Sequence, residues 1–323
     1  MYKSKKLNFK PLFGLSSTHL QMITAAYIPK GKAPASHQWL VDIGNGDKLS
    51  CELSIPSGWQ EENKTIVMIH GLGGSHQSNY MVRMARKLHE KGHKVVRINL
   101  RGCGSGKGLS KLPYHAGNSD DILKVIQALK EKTPHSEIYL VGFSLGANTV
   151  LKLAGELGPD SEKLVKTFIA ICPPFDLQHT VRLIEKKIHI FYRRYFLKHI
   201  SKQSTPWTSE KFHSLYKFDD KITGPSWGYA GADDYYQKCS SKHFLSTIGV
   251  TTHILSAEDD PFISVDPLKN ISISGHVHLW TTRFGSHMGF LGRTEIQWLD
   301  QLLLGWIEEK QSLPADPSND KNF

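Results

Sequence analysis

EIYLVGFSLGANTVLKLAGEL, residues 137–157, begins as an apolar strand (Glu137–Phe143) and continues as a helix (Leu145–Leu157), with Ser144 alone at the junction. Around that serine the spacing is Gly142-Phe143-Ser144-Leu145-Gly146, a Gly-x-Ser-x-Gly pattern. Average Gly and Ser usage gives roughly 0.1–0.2 chance matches in a chain of this length, so context carries the reading. A strand that enters a helix through a serine is the arrangement in which a strained turn lifts the hydroxyl above the sheet. Glycines two residues to either side keep the turn from colliding with the neighbouring strand and helix.

Outward from this point, the chain alternates short apolar runs with helical patterns. Thr65–His70, Lys94–Leu100, Lys166–Cys172, Thr251–Ser256 and Val277–Phe284 read as strands. Asn79–Lys91 reads as a helix with Met81, Met84, Ala85 and Leu88 on one face. Another helix begins at Asp120 and Asp121, where acids complement the helix dipole, and Thr294–Glu308 closes the pattern. This order predicts an α/β fold with a mostly parallel central sheet flanked by helices. From Gln178 to about His243 no strand candidate occurs, which predicts a helical cap inserted into the sheet's connections. The expected organisation is an N-terminal segment packing on the core (1–60), a core in two pieces (61–177 and 244–311), a cap (178–243) and a disordered tail (312–323).

Of the 323 residues, 39% are hydrophobic and 22% charged, an ordinary globular balance. No run of about 18 apolar residues suggests a membrane span, and MYKSKKLNFKPLFGL has no continuous apolar stretch of a signal peptide, which leads us to expect a cytoplasmic protein. Cys51, Cys103, Cys172 and Cys239 lie far apart and read as reduced, packed thiols. No HExxH or close His/Cys cluster is present, so neither a metal nor another cofactor is expected. The formal charge of +10 is concentrated: residues 178–217 hold nine Lys/Arg against Glu185 and Glu210. No nucleic-acid motif accompanies them. The apolar residues Val181, Ile184, Ile188, Phe191 and Tyr195 recur at helical spacing, predicting one cap helix with its apolar stripe over the site. A sharper expectation is peripheral contact of the basic cap with an anionic membrane.

A serine hydroxyl needs a base, and the base needs an orienting acid. In strand–serine–helix enzymes of this class the chain order is Ser, then Asp or Glu, then His, after late strands. His287 lies beyond the last strand's C-terminal end, where sites form in open α/β sheets, whereas His276 and His278 lie at the wrong end. Asp259 and Asp260 both follow the strand at 251–256. The turn Ala257-Glu258-Asp259-Asp260, read as small-x-x-Asp, favours Asp260 and leaves Asp259 to brace the turn. Two backbone donors are needed for the oxyanion: the N–H of Leu145 and, from the loop His70-Gly71-Leu72-Gly73-Gly74, the N–H of Leu72. His70 ends a strand far upstream of Ser144 and reads as structural.

Beyond the serine turn, Thr18-His19-Leu20-Gln21-Met22-Ile23 resembles an N-terminal HLQT motif, with Met22 in place of the usual Thr. The loops His70–Ser75 and Asn99–Ser105 are similar to two further motifs of the same group. So is the stretch from Phe218-Asp219 through Thr223, Tyr235-Tyr236 and Ser240-Ser241 to Asp259–Phe262. Ser286-His287-Met288-Gly289-Phe290 resembles GGHxGF, with Ser286 where a glycine is usual, a change expected to stiffen the loop. Over about residues 10–305 the chain therefore resembles the YheT-like branch of the α/β-hydrolase esterases. That resemblance implies a carboxylesterase or acylglycerol lipase acting on a small-molecule acyl ester or lipid. The same machinery serves thioesterases and amidases, and a hydrolase-fold scaffold is the non-catalytic rival. Scaffolds usually lack a triad residue, and here none is missing.

Overall fold

Five apolar runs of five or six residues become the strands at the centre of a nine-stranded sheet. The computed structural model describes residues 4–204, 208–293 and 295–309, so the expected tail at 312–323 lies outside the described residues. In chain order the elements are β1 (Lys5–Lys6), α1 (Thr18–Tyr27), β2 (His37–Gly44), β3 (Asp47–Ser54), β4 (Thr65–Ile69), α2 (Asn79–Glu90), β5 (Lys94–Asn99), α3 (Ser119–Lys132), β6 (Ile138–Phe143), α4 (Leu145–Leu157) and β7 (Thr167–Ile171). There follow α5 (Leu177–Ile184), α6 (Ile190–Ser204), α7 (Leu215–Phe218), α8 (Gly224–Ser226) and α9 (Ala232–Cys239), then β8 (Thr252–Ala257), β9 (Val277–Thr282) and α10 (Trp298–Ile307).

The strand order is β1-β9-β8-β7-β6-β4-β5-β3-β2, parallel except where β3 meets β5 and β2 meets β3. Alternate residues of each strand enter opposite cores. Val67, Ile69, Leu140 and Ala170 pack with α3 and α4, while Ile66, Met68, Val141 and Ile171 pack with α2 and α10. Each fully buried aliphatic side chain in these layers contributes about 1.5–3 kcal/mol, which is why two-sided burial fixes the sheet. The chain reverses its winding between β4 and β6, and the crevice beyond the carboxyl ends at such a switch point is where sites form. Leu72 follows β4 and Ser144 follows β6.

Three expectations need correction. Residues 37–54 form the antiparallel pair β2 and β3 and extend the sheet itself, instead of merely packing on it. The closing helix begins at Trp298, not near residue 294. The expected single cap helix is two: α5 ends at Ile184, the chain turns through Glu185–His189, and α6 starts at Ile190. Val181 and Ile184 face the cavity as expected. Ile188 and Phe191, expected to face it too, are instead 73% and 76% exposed, while Tyr195, 58% exposed, lines a second groove that reaches Ser144. On α6 the inward positions are Tyr192, Phe196, Leu197 and Ile200. Among the described residues no helix is long and apolar enough to cross a membrane.

Candidate active site

Ser144 occupies the turn between β6 and α4 with φ 51° and ψ −119°, a conformation costly to a residue with a Cβ. The backbone is held there by the Ser144 N–H, which donates to the Ile171 carbonyl at 2.8 Å. The flanking glycines are required by space: a Cβ at Gly142 would meet the Gly146 carbonyl at 2.5 Å, and one at Gly146 would meet the His70 carbonyl at 2.6 Å.

His287 stands on a tight loop beyond β9. Its Nε2 lies 3.0 Å from Ser144 Oγ and its Nδ1 lies 2.7 Å from Asp260 Oδ2. The second oxygen of Asp260 accepts the N–H groups of Phe262 and Ile263 at 2.9 and 3.0 Å, so the carboxylate is fixed from both sides. Phe262 packs edge-on to the imidazole at 5.6 Å. Asp259 is turned elsewhere: its carboxylate accepts the Ser286 N–H at 2.7 Å and the Thr18 hydroxyl at 3.1 Å. Burial pushes the Asp259 carboxyl up from its ordinary value. It thus ties α1 to the loop that carries His287. Ser286 adopts φ 53°, the left-handed region that a glycine would enter without strain.

Leu72 and Leu145 both line the cavity with Ser144 and His287. Among the described residues neither N–H has an intramolecular acceptor, whereas Gly71 and Gly73, on either side of Leu72, donate to Tyr80 and Tyr114. His70 is fully buried, and its Nε2 accepts the Leu100 N–H at 3.2 Å. Burial pushes its pKa down to about 4, so it is a neutral bracket between two loops.

Two spaces meet at Ser144 and His287. One lies under the cap among Leu177, Val181, Ile184, Ile200 and Phe218. Asp219, in a single turn of π-helix after α7, also lines it; burial lifts its carboxyl to about 6, against hydrogen bonds from Thr223 and Tyr236. The other is a groove between α1 and α6, lined by Met22, Ile23, Tyr27, Tyr192 and Tyr195. His19 joins the two helices through the Tyr192 hydroxyl at 2.8 Å. Among the described residues, Cys172, Asp260 and His287 are the group with donor atoms close enough for a metal, within 4.8 Å. The fit is poor: Asp260 and His287 face each other, and burial with the Asp260 charge pushes the Cys172 thiol far up, away from the thiolate a metal needs.

A family model described as alpha/beta hydrolase fold matches residues 64–247. The chain belongs to the α/β-hydrolase family. This hydrolase is similar to the putative esterase YheT of Escherichia coli, 27% identical over 321 residues that cover 94% of each chain. It is similar to a monoacylglycerol lipase of Saccharomyces cerevisiae at 26% identity, over 75% of this chain and 58% of that one. The solved structure of the esterase Pf2001 of Pyrococcus furiosus shares the fold, with a TM-score of 0.57 at 16% identity over 85% of this chain and 92% of that chain.

The loop-bracing residues Thr18, Tyr80, Tyr114 and Gln203 were not singled out by sequence reasoning. Thr18 alone had a signal, as part of the N-terminal motif. Tyr114 and Gln203 make contacts between segments far apart in the chain, and Tyr80 bonds Gly71 nine residues before it.

Proposed function

We propose that this α/β hydrolase cleaves carboxylic esters by two-step acyl transfer, with Ser144 as nucleophile, His287 as base and acid, and Asp260 as orienting acid. The observation that carries the reading is the unbroken line from Asp260 through both imidazole nitrogens of His287 to the Ser144 hydroxyl. With Nδ1–H donated to Asp260, Nε2 is left as acceptor for the serine proton. Ser144 Oγ then attacks the ester carbonyl while His287 takes its proton, and the N–H groups of Leu72 and Leu145 bind the oxyanion. His287 returns the proton to the leaving alcohol. A water, deprotonated by His287, hydrolyses the acyl-enzyme and restores the serine.

The apolar space under the cap suits an acyl chain, and the groove between α1 and α6 suits the departing alcohol. Esterase and lipase activities named for the relatives agree with a small-molecule ester or lipid as substrate. Ser144→Ala should lower kcat on nitrophenyl esters by about 10⁴-fold or more with an unchanged melting temperature. Near-normal turnover in that variant would refute the reading. A panel of C2–C16 nitrophenyl esters, monoacylglycerols and acyl-CoAs separates ester from thioester preference.

A second reading concerns where the substrate is met. Tyr195 of α6 and Ile23 and Tyr27 of α1 are exposed along the groove, and Ile188 and Phe191 of the cap are exposed as well. Residues 178–243 hold twelve Lys/Arg against six Asp/Glu, so pairs such as Glu185 with Arg193 and Glu210 with Lys221 leave the cap a cationic excess. This combination favours peripheral contact with an anionic lipid surface. Phe191→Ser should weaken binding to anionic vesicles while leaving turnover of a soluble short ester within about twofold. Equal binding of the unmodified protein to anionic and neutral vesicles at two ionic strengths would end this reading.

A further inference from the structure

The loop after β4 must present the Leu72 N–H to the oxyanion, yet it contains three glycines in four residues and has little stiffness of its own. Its neighbours supply that stiffness. On one side the Gly71 N–H donates to the Tyr80 hydroxyl at 2.9 Å, and Tyr80 packs on Phe143, the residue before the nucleophile, at 4.8 Å between ring centres. On the other side the Gly73 N–H donates to the Tyr114 hydroxyl at 2.9 Å. Tyr114 passes its own proton to the side-chain oxygen of Gln203 on α6 at 3.1 Å, and the Gln203 amide donates to the Gly74 carbonyl at 3.3 Å.

The cap also touches this loop directly. Gly73 has φ 70°, and a Cβ there would stand 2.8 Å from the Cβ of His199 on α6. The Leu72 side chain packs into the apolar cluster made by Ile184, Leu197, Ile200 and Phe262. Four separate contacts therefore join α6 and its cluster to a three-residue span of the loop.

We propose that the cap helix α6 is part of the oxyanion hole's framework: Gln203 and Tyr114 are positioning residues that aim the Leu72 N–H. The inference rests on the acyl-transfer reading and adds to it that seating of the cap sets the rate of chemistry as well as access. Tyr80, on α2, holds the opposite side of the same loop. Because binding of the ground-state ester does not need the aimed N–H, a misaimed loop costs kcat and spares KM.

The test uses the full-length chain, a nitrophenyl butyrate assay and a trifluoromethyl ketone, whose adduct with a serine carries a tetrahedral oxyanion. Tyr114→Phe and Gln203→Met should each lower kcat about tenfold, less than the ~10²–10³ lost when an oxyanion donor is removed outright. KM should stay within about threefold, and the ketone's inhibition constant should rise by the same factor as kcat/KM falls. The double variant should be little worse than the worse single, since both act through one loop. Unchanged kcat in Tyr114→Phe, or a lowered kcat with undiminished ketone affinity, overturns the proposal. If Gln203→Met does not fold, Tyr114→Phe decides alone, because it removes only a hydroxyl. An unmodified enzyme that the ketone inhibits, beside an inactive Ser144→Ala, keeps the acyl-transfer reading standing whatever the positioning variants do.

Discussion

Across one cavity, this hydrolase sets a sheet against a cap, and the two hold their shape by different means. In β4, β5, β6 and β7 every residue is buried, and in β8 only His253 is less than buried. In the cap, α5 and α6 bury one side each and leave Ile188 and Phe191 in solvent. The sheet holds Ser144, Asp260 and His287 on turns fixed by backbone hydrogen bonds and by carboxylates with each oxygen engaged. The cap meets the loop after β4 through Gln203, α1 through the Tyr192 hydroxyl, and Phe262 and Ile263 through one apolar cluster. What the contrast teaches is a division of labour: two-sided burial fixes the turns that carry Ser144, Asp260 and His287, while the cap is held by one-sided apolar packing and a few polar ties.

The largest expected effect lies where the two regions share a buried charge. Arg101, just past β5, holds Asp121 of α3 through two hydrogen bonds of 2.6 and 2.7 Å, and Asp47 of β3 at 2.5 Å. Its guanidinium also lies over Trp227 of the cap, 5.0 Å from the ring centre. Arg101→Ala leaves two buried carboxylates without their cation, and a loss of about 3–5 kcal/mol is expected from urea unfolding. A loss below about 1 kcal/mol would mean that this buried cluster does not hold β3 and α3 to the end of β5.

A second effect separates the regions by pH. Burial lowers His70 to about 4, His115 to about 3 and His253 to about 4, so the native state keeps them neutral where the unfolded chain protonates them near 6.5. The unfolded state then binds more protons between about pH 4 and 6.5, and stability rises with pH across that window. Asp219 in the cap has the opposite sign: lifted to about 6, it binds its proton more tightly when folded and offsets one histidine. Of these four groups, unfolding near pH 5 should therefore take up roughly two protons. Asp219→Asn should add about one proton to the uptake. A stability profile flat from pH 4 to 6.5 contradicts this assignment.

The smallest effect is expected at Ser286. Replacing it with glycine relieves a left-handed conformation worth about 1–2 kcal/mol and gives back part of that as glycine's extra chain entropy. A gain of up to about 1 kcal/mol, with kcat within twofold, should be seen in thermal melts. A loss of stability would mean that the serine hydroxyl holds the loop.

The same contrast governs what could be read from the sequence. Strands buried on both faces appear as unbroken apolar runs, so β4 to β8 were visible with ends off by only one or two residues. The pair β2 and β3 was passed over because its exposed face mixes Gln38, Asp42 and Lys48 with apolar residues. The structure closes this pair with Asn45-Gly46, at φ values of 56° and 77°, a dipeptide suited to a tight hairpin turn. The cap stripe misled because periodicity assumes an unbroken helix. At the break Lys186 is extended, and the Glu185 carboxylate is drawn off to the Leu215 N–H at 2.7 Å and to Arg193. That tertiary contact resets the phase, so Ile188 and Phe191 turn outward and Tyr195 faces the groove beside α1. For the candidate site, chain order and strand ends point to Ser144 and His287, and the turn spacing favours Asp260 over Asp259; the structure brings these three side chains together, and Leu72 and Leu145 line the same cavity. Tyr114 and Gln203 carried no local pattern, because what they do exists only when distant segments meet.

The most direct measurement is the site and rate of labelling by a fluorophosphonate, read by mass spectrometry on the full chain and on His287→Ala. The account predicts one label per chain, on Ser144, formed at least about 100-fold more slowly in the variant. A label on another residue, or an undiminished rate without the imidazole, would contradict the claim that His287 activates Ser144.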